Sequence, residues 1–289
     1  MRRAVTIVVT TSAVLAGGSL ASQAQAATPP TPSITAPGGF VMNNGTGAVL
    51  FGKAADTRRP TGSTTKIMTA KVVLAQRGLN LDAKVTIDKA YSDYIVAKNA
   101  SSARLIVGDK VTVRQLLYGL MLPSGCDAAY ALADKFGTGT TRAARVKSFI
   151  GKMNDEARRM GLRNTHFDSF DGISNGANYS TPRDLTKLAS SVMQNSTFRT
   201  IVKTKSTTQK VTTRTGGYRN MAWTNTNKLL STYSGAIGVK TGSGQQAKYC
   251  LVFAATRNNK TVIGTVLAAP SETNRAADVK KLLDYGFAR

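Results

Sequence analysis

Three short stretches of this sequence hold residue types that could carry out a reaction: Ser63-Thr64-Thr65-Lys66, Ser124-Gly125-Cys126 and Lys240-Thr241-Gly242. Ser63 and Lys66 are three apart and open an apolar run (Ile67, Met68, Ala70, Val72, Val73, Leu74) that reads as a helix. Residues i and i+3 share a helix face, so the Lys66 amine can reach the Ser63 hydroxyl. A serine hydroxyl is a poor nucleophile until a neighbouring base accepts its proton, and a lysine desolvated beside other cations can be that base. The chemistry implied is nucleophilic catalysis by serine without histidine.

The first stretch alone decides little. With ordinary Ser and Lys usage an S-x-x-K match arises roughly once in a chain of this length. The same residues also describe a helix N-cap serine with a solvated lysine one turn on. Ser63–Lys66 is the only such match, and the other two stretches give it a setting. Leu122-Pro123-Ser124-Gly125-Cys126-Asp127 falls between two helical segments. Pro and Gly break the helix there and leave Ser124 on a loop that can point into a cleft, although a Ser-Gly turn needs no function. Lys240-Thr241-Gly242 ends the strand Ile237-Gly238-Val239 and places a cation, a hydroxyl and accessible backbone N–H groups together. That set suits a carboxylate or a developing oxyanion. Arg214-Thr215-Gly216-Gly217 looks similar, but it lies in a polar run of Thr and Lys and reads as an exposed hairpin turn.

The elements that must position these residues form an α/β pattern of the α+β type. Phe40-Val41-Met42 and Ala48-Val49-Leu50-Phe51 flank the turn Asn43 to Gly47 and predict a hairpin. Helices are predicted at Val113 to Leu122, Asp127 to Phe136, Arg142 to Met160 and Pro182 to Gln194, the last with Ser180-Thr181 as cap candidates. Strands follow at Ala236 to Lys240, Tyr249 to Thr256 and Thr261 to Ala268, with a tight turn at Asn258-Asn259 and a closing helix from Ala276 to Tyr285. Strands at both ends with helices between them imply one antiparallel sheet assembled from both chain ends, flanked by helices, plus a mainly helical lobe. The cleft between them is the natural site. The sheet region is expected over roughly residues 27–80 and 200–289, and the helical lobe over roughly 81–199.

Met1-Arg2-Arg3, the largely apolar stretch Ala4 to Ala16 and the small-x-small tripeptide Ala24-Gln25-Ala26 have the form of a secretory signal peptide over residues 1–26. The expected mature chain, 27–289, is long enough for one large domain and holds no later run long enough to span a membrane. Lys and Arg number 39 against 15 Asp and Glu, and only Arg2 and Arg3 fall in the signal. On an exported protein that excess suggests attraction to anionic envelope polymers or a membrane surface. The basic residues are dispersed, with no zinc spacing, basic-heptad region or RNP-like strand, so no nucleic acid is expected as partner. His166 is the only histidine and lies in an edge-like Thr-His-Phe-Asp stretch, which argues against a Ser-His-Asp triad. One histidine and two distant cysteines argue against a zinc site. Cys126 at a cleft turn and Cys250 within an apolar strand are read as unbridged thiols, Cys250 as part of the core.

In this order, S-x-x-K, S-x-C and K-T-G resemble the penicillin-recognising serine transferases. Within them the chain is most similar to the low-molecular-weight DD-peptidases, the D-alanyl-D-alanine carboxypeptidases and transpeptidases of the bacterial wall. The resemblance covers nearly the whole mature chain, including Tyr179-Ser180-Thr181-Pro182-Arg183-Asp184-Leu185 and Lys248-Tyr249-Cys250-Leu251-Val252. Cys126, where most relatives carry Asn, points to the secreted actinobacterial DD-transpeptidases. The resemblance implies that Ser63 attacks the carbonyl between two terminal D-alanines, that Lys66 takes the proton, and that Ser124 with Lys240 relays it to the leaving amine. It implies an oxyanion hole from the backbone N–H groups of Ser63 and Ser243. Cys126, Thr241, Gly242, Ser243 and Arg275 would then contact the substrate, Thr241, Ser243 and Arg275 at its carboxylate. The implied partners are peptidoglycan stem peptides and β-lactams, with no cofactor, no metal and a monomeric state. A non-catalytic wall-binding or penicillin-sensing module of the same fold is the alternative.

Two departures from the family pattern have consequences. Cys126 offers only a weak S–H donor where Asn has an amide. The only glutamates, Glu156 and Glu272, lie outside any E-x-x-x-N setting, so the deacylating base of class A β-lactamases is missing by motif. Penicillin is expected to acylate the protein and stay attached.

Overall fold

A computed structural model describes residues 1, 4–6 and 29–289. The cleavage site Ala24-Gln25-Ala26 and most of the expected signal peptide lie outside the described residues. No helix among the described residues is long and apolar enough to cross a membrane.

In chain order, β1 (Gly38–Asn43) and β2 (Val49–Lys53) form the predicted hairpin, and a 3-10 turn (Gly62–Thr65) runs straight into α1 (Lys66–Leu74). The middle of the chain holds β3 (Lys84–Thr86), α2 (Lys89–Lys98), β4 (Lys110–Thr112), α3 (Val113–Met121), α4 (Cys126–Phe136), α5 (Arg142–Arg159), α6 (Pro182–Val192) and α7 (Ser196–Lys203). A second hairpin, β5 (Ser206–Thr212) and β6 (Tyr218–Thr224), precedes the short α8 (Leu229–Thr232). Then come β7 (Ala236–Gly244), β8 (Lys248–Arg257), β9 (Lys260–Ala269) and the closing helix α9 (Glu272–Ala288).

The main sheet is antiparallel and has the order β2-β1-β9-β8-β7, so the two chain ends meet where Gly38 pairs with Leu267 and Asn43 with Val262. Local chemistry sets its turns. Asn43 Oδ1 accepts from the amides of Gly45 and Thr46 at 2.9 and 3.2 Å. Asn258 and Asn259 both take positive φ, the conformation a two-residue hairpin needs. One face of the sheet packs under α9, through Val41, Phe51, Val262, Val266, Leu282 and Leu283. The other carries the larger core, in which α1 is almost wholly enclosed. An apolar helix with no polar stripe is what a central position requires. The helix α6 begins as expected, with Pro182 in its first turn and the Thr181 hydroxyl accepting from Asp184 N at 3.0 Å.

The expectation of a single sheet is corrected. A second, four-stranded antiparallel sheet has the order β3-β4-β5-β6, so residues 206–224 pair with strands from the middle of the chain rather than with the main sheet. β3 and β4 are each a lone Lys-Val-Thr with one buried residue, too short to leave a period-2 signal. The stretch Arg214 to Gly217 is the β5–β6 turn, closed by Thr213 N to Gly217 O at 2.9 Å. Helix α2 was also missed. Its only buried residue is Tyr91, and it is fixed by its ends, Asp88 accepting from Ala90 N and Asn99 in the left-handed conformation.

Candidate active site

The turn that carries Ser63 is held by hydroxyls. Thr64 Oγ1 donates to Thr61 O at 2.8 Å, the hydroxyls of Thr61 and Thr65 lie 2.8 Å apart, and Asn178 Nδ2 donates to both at 2.9 Å. This lattice fixes Ser63 at the mouth of α1. Lys66, one turn on, is 0% exposed. Its Nζ donates to Ser63 Oγ at 2.9 Å, to the Asp171 carbonyl at 3.0 Å and to Cys126 Sγ at 3.3 Å. The i, i+3 reach anticipated from the spacing is present.

Ser124 sits between α3 and α4 with φ of 64°, and its carbonyl accepts from Ser101 Oγ at 2.6 Å. Its own Oγ is buried and has no hydrogen-bond partner. Such an orphan hydroxyl in a folded interior calls for an explanation, and a substrate group is one. Cys126 opens α4 and is 1% exposed. Burial pushes its thiol above the ordinary value, with the Lys66 charge acting in the opposite direction.

Lys240 lies in β7, fully buried, with Nζ donating to the Thr241 carbonyl at 3.0 Å. Its ammonium is held well below the usual lysine value, first by burial and then by the charge of Lys66. Thr241 Oγ1 shares a 2.6 Å contact with Thr226 Oγ1. Two glycines let the turn carrying Ser63 and β7 touch. A Cβ at Gly242 would stand 2.7 Å from Thr61 O, and one at Gly62, whose φ is +50°, would stand 3.1 Å from Ser243 N. Backbone can approach this closely only where no Cβ intervenes. The result is that Gly62 lies against Ser243, and Thr61 and Thr64 lie against Gly242.

Arg275 is in the first turn of α9 and 6% exposed, with Nη1 reaching the Cys250 carbonyl at 3.4 Å and its guanidinium 6.0 Å from the Tyr249 ring. Ser63, Ser124, Cys126, Thr241, Gly242, Ser243 and Arg275 all line one cleft of about 960 Å³. Lys66 and Lys240 are buried behind its wall. The structure therefore brings all nine sequence-predicted residues together. His166 pairs through its backbone with Tyr179 and does not line the cleft. The thiols of Cys126 and Cys250 are free and buried. Cys250 Sγ donates to Ala247 O at 3.2 Å and is pushed up to about 11 by burial.

Several residues at the site were not anticipated. Asp171 presents its carbonyl to Lys66, while its carboxylate accepts from Tyr94 OH at 2.9 Å and Ile173 N at 2.9 Å. Tyr94 packs against Tyr130 and Phe170, and burial raises its phenol well above the ordinary value. Ser101, Asn178, Thr226, Lys228, Tyr249 and Glu272 also belong to the cleft lining. Asp171-Gly172 is a turn dipeptide, but a turn dipeptide does not say which carbonyl will face a lysine.

Three comparisons bear on this geometry. Residues 23–271 match the D-alanyl-D-alanine carboxypeptidase family. The chain is 72% identical over 290 residues to a D-alanyl-D-alanine carboxypeptidase of Streptomyces sp. strain K15, covering 100% of this chain and 99% of that one. It is 32% identical over 250 residues to the D-alanyl-D-alanine carboxypeptidase DacF of Bacillus subtilis, covering 86% of this chain but only 61% of that protein. The crystal structure of the Streptomyces K15 DD-transpeptidase superposes with a TM-score of 0.90 at 75% identity, covering 90% of this chain and all of that one.

Proposed function

The chain belongs to the D-alanyl-D-alanine carboxypeptidase family, and from that premise we propose how its own residues perform the acyl transfer. It is a serine-type D-Ala-D-Ala carboxypeptidase/transpeptidase of the penicillin-recognising kind. The observation that carries the assignment of roles is the 2.9 Å contact between Ser63 Oγ and the fully buried Lys66 Nζ.

Ser63 Oγ attacks the carbonyl of the penultimate D-alanine as its proton passes to Lys66, which must be a neutral amine at that moment. The developing oxyanion is held by the backbone N–H groups of Ser63 and Ser243. On collapse the C–N bond breaks, the proton is relayed by the Ser124 hydroxyl, with Lys240 assisting, to the leaving amine, and D-alanine departs. Thr241 and Ser243 hold its carboxylate with Arg275. Water attacking the Ser63 ester completes the carboxypeptidase reaction, and an amine attacking it completes the transpeptidase reaction.

A β-lactam acylates Ser63 by the same step and is not discharged. Glu156 is buried on α5 with Lys71 at 3.6 Å and Arg159, and Glu272 is engaged with two cations on the cleft rim. The Asp171 carboxylate is tied to Tyr94 and Ile173. Among the residues lining the cleft Glu272 is the only carboxylate, and it faces Lys228 and Arg275. The family match and the full-length likeness to a named carboxypeptidase favour this reading over a non-catalytic wall-binding or sensing module.

The proposal extends to place. The Met1-Arg2-Arg3 start and the Ala24-Gln25-Ala26 site support export by a signal peptide. The enzyme then works as a monomer on peptidoglycan stem peptides, contributing to wall synthesis and cell shape, and its basic surface meets anionic envelope polymers or the membrane surface. Labelling with a fluorescent penicillin, followed by mass-spectrometric mapping of the acylated residue, tests the core of the proposal. Label on any residue other than Ser63 overturns it.

A further inference from the structure

One carboxylate oxygen on the cleft rim is shared by two cations. Glu272 Oε1 lies 3.4 Å from Arg275 Nη2 and 3.3 Å from Lys228 Nζ, and all three residues line the cleft that holds Ser63 and Ser243. They differ sharply in exposure: the Lys228 side chain is 78% exposed, that of Glu272 48% and that of Arg275 8%. The Arg275 Nε is buried without a hydrogen-bond partner, and Nη1 has only a long contact to the Cys250 carbonyl. A guanidinium has five N–H donors and no acceptor. This one is buried with most of them unfilled, and the anion beside it is a half-exposed side chain on the first residue of its own helix.

We propose that Glu272 is a built-in competitor for the terminal carboxylate of the substrate. It occupies Arg275 and Lys228 in the empty cleft and yields them when a carboxylate-ended peptide binds. The inference rests on the reading that Arg275, with Thr241 and Ser243, takes that carboxylate. The two carboxylates carry the same charge, so a substrate carboxylate arriving beside Arg275 repels Glu272 and competes with it for Nη2 and for Lys228. Glu272 can swing into solvent because its own side chain is half-exposed and one of its two partners, Lys228, lies on the surface, where ion pairs are weak. Without it, Lys98, Lys228 and Arg275 would line the cleft unopposed and would draw any anion into it. With it, a ligand must present a well-placed carboxylate to gain the pair. Glu272 is thus a specificity-determining residue, exchanging some substrate affinity for rejection of other anions.

The test uses the full chain and an N-acylated tripeptide ending in D-Ala-D-Ala at low ionic strength. Glu272→Gln is expected to lower KM about two- to fivefold, the factor an exposed ion pair carries, with kcat unchanged and the gain fading in 1 M salt. Stoichiometric penicillin labelling of the variant reports its folded fraction. Arg275→Leu, measured in parallel, is expected to raise KM. If it does so while Glu272→Gln leaves KM unchanged or raises it, the competitor role alone is overturned. An unchanged KM in Arg275→Leu overturns the carboxylate reading beneath it, and the competitor role with it.

Discussion

Lys66 Nζ lies 3.3 Å from Cys126 Sγ, so the amine that touches the Ser63 hydroxyl also touches the first residue of the helix carrying the second motif. A thiol is a weak partner compared with an amide, and this one is buried with its pKa raised. Cys126 therefore leaves Lys66 relying on the Asp171 carbonyl for its firm anchor.

Cys126 lines the cleft yet is almost fully buried, so its thiol is not openly reactive. A small reagent such as methyl methanethiosulfonate is expected to reach Cys126 slowly through the cleft, to block acylation by crowding Lys66, and to be excluded once penicillin occupies Ser63. Bulky maleimides should react far more slowly still. Timed thiol labelling with peptide mapping checks this, and fast reaction of Cys126 with a bulky reagent would show an open thiol.

Ser63→Ala removes one cleft hydroxyl and should abolish covalent penicillin binding with the fold intact. Lys66→Ala should slow acylation by about 10²–10⁴-fold, the span of a positioned proton-transfer group. Stopped-flow acylation kinetics give both values. A loss below threefold in the lysine variant excludes Lys66 as the main base.

Lys240 ties stability to pH. Its folded-state pKa lies well below the ordinary 10.5 because of burial, so the unfolded chain holds the proton more tightly. Stability then rises with pH between the folded value and 10.5, and the charge penalty is full only below that window. Lys240→Met removes the buried charge and should raise Tm, more at pH 6 than at pH 10.5, while acylation falls. Thermal unfolding at the two pH values checks the sign, and a lower Tm at pH 6 would mean that the bond to Thr241 O outweighs the cost of burial.

Gly242→Ala places a methyl 2.7 Å from a backbone oxygen that cannot swing aside. Overpacking of this kind costs about 1–3 kcal/mol. It should push β7 away from the turn carrying Ser63, and misplacement of the proposed oxyanion donors by ~1 Å should slow acylation by about 10²-fold. Acylation rates and Tm, measured together, separate the two effects. A variant that acylates at the parent rate would show that the approach of β7 to Thr61 is not needed for catalysis.

What could be read in advance follows the range of the forces involved. The Ser63–Lys66 contact is a consequence of helix periodicity, and the turns at Asn43 and Asn258-Asn259 come from local side-chain chemistry, so residue order sufficed for both. The second sheet was hidden because Val85 and Val111, which face each other, are the single buried residues of their short strands, and β4 joins β5 only where Lys110 meets Thr212, far along the chain. Asp171 and Tyr94 escaped notice for a similar reason: the group that meets Lys66 is a backbone carbonyl, which every residue has, and only the fold decides which one arrives. Glu272 was noticed for lying outside a catalytic motif, whereas its pairing with Lys228 and Arg275 depends on how α9 docks beside β8.

The strand order β2-β1-β9-β8-β7 also has a meaning in time. A chain emerging from its N-terminus first completes β1 and β2 early, yet the strand that must lie beside β1 is the last one made. Until residue 269 is free, the hairpin has an open edge, the KTG strand has no sheet to join, and Ser63 has no Ser243 to face. Such sequence-distant pairing delays the closing step of folding. A fragment that stops short of β9 therefore lacks the sheet that brings Ser243 against the turn carrying Ser63.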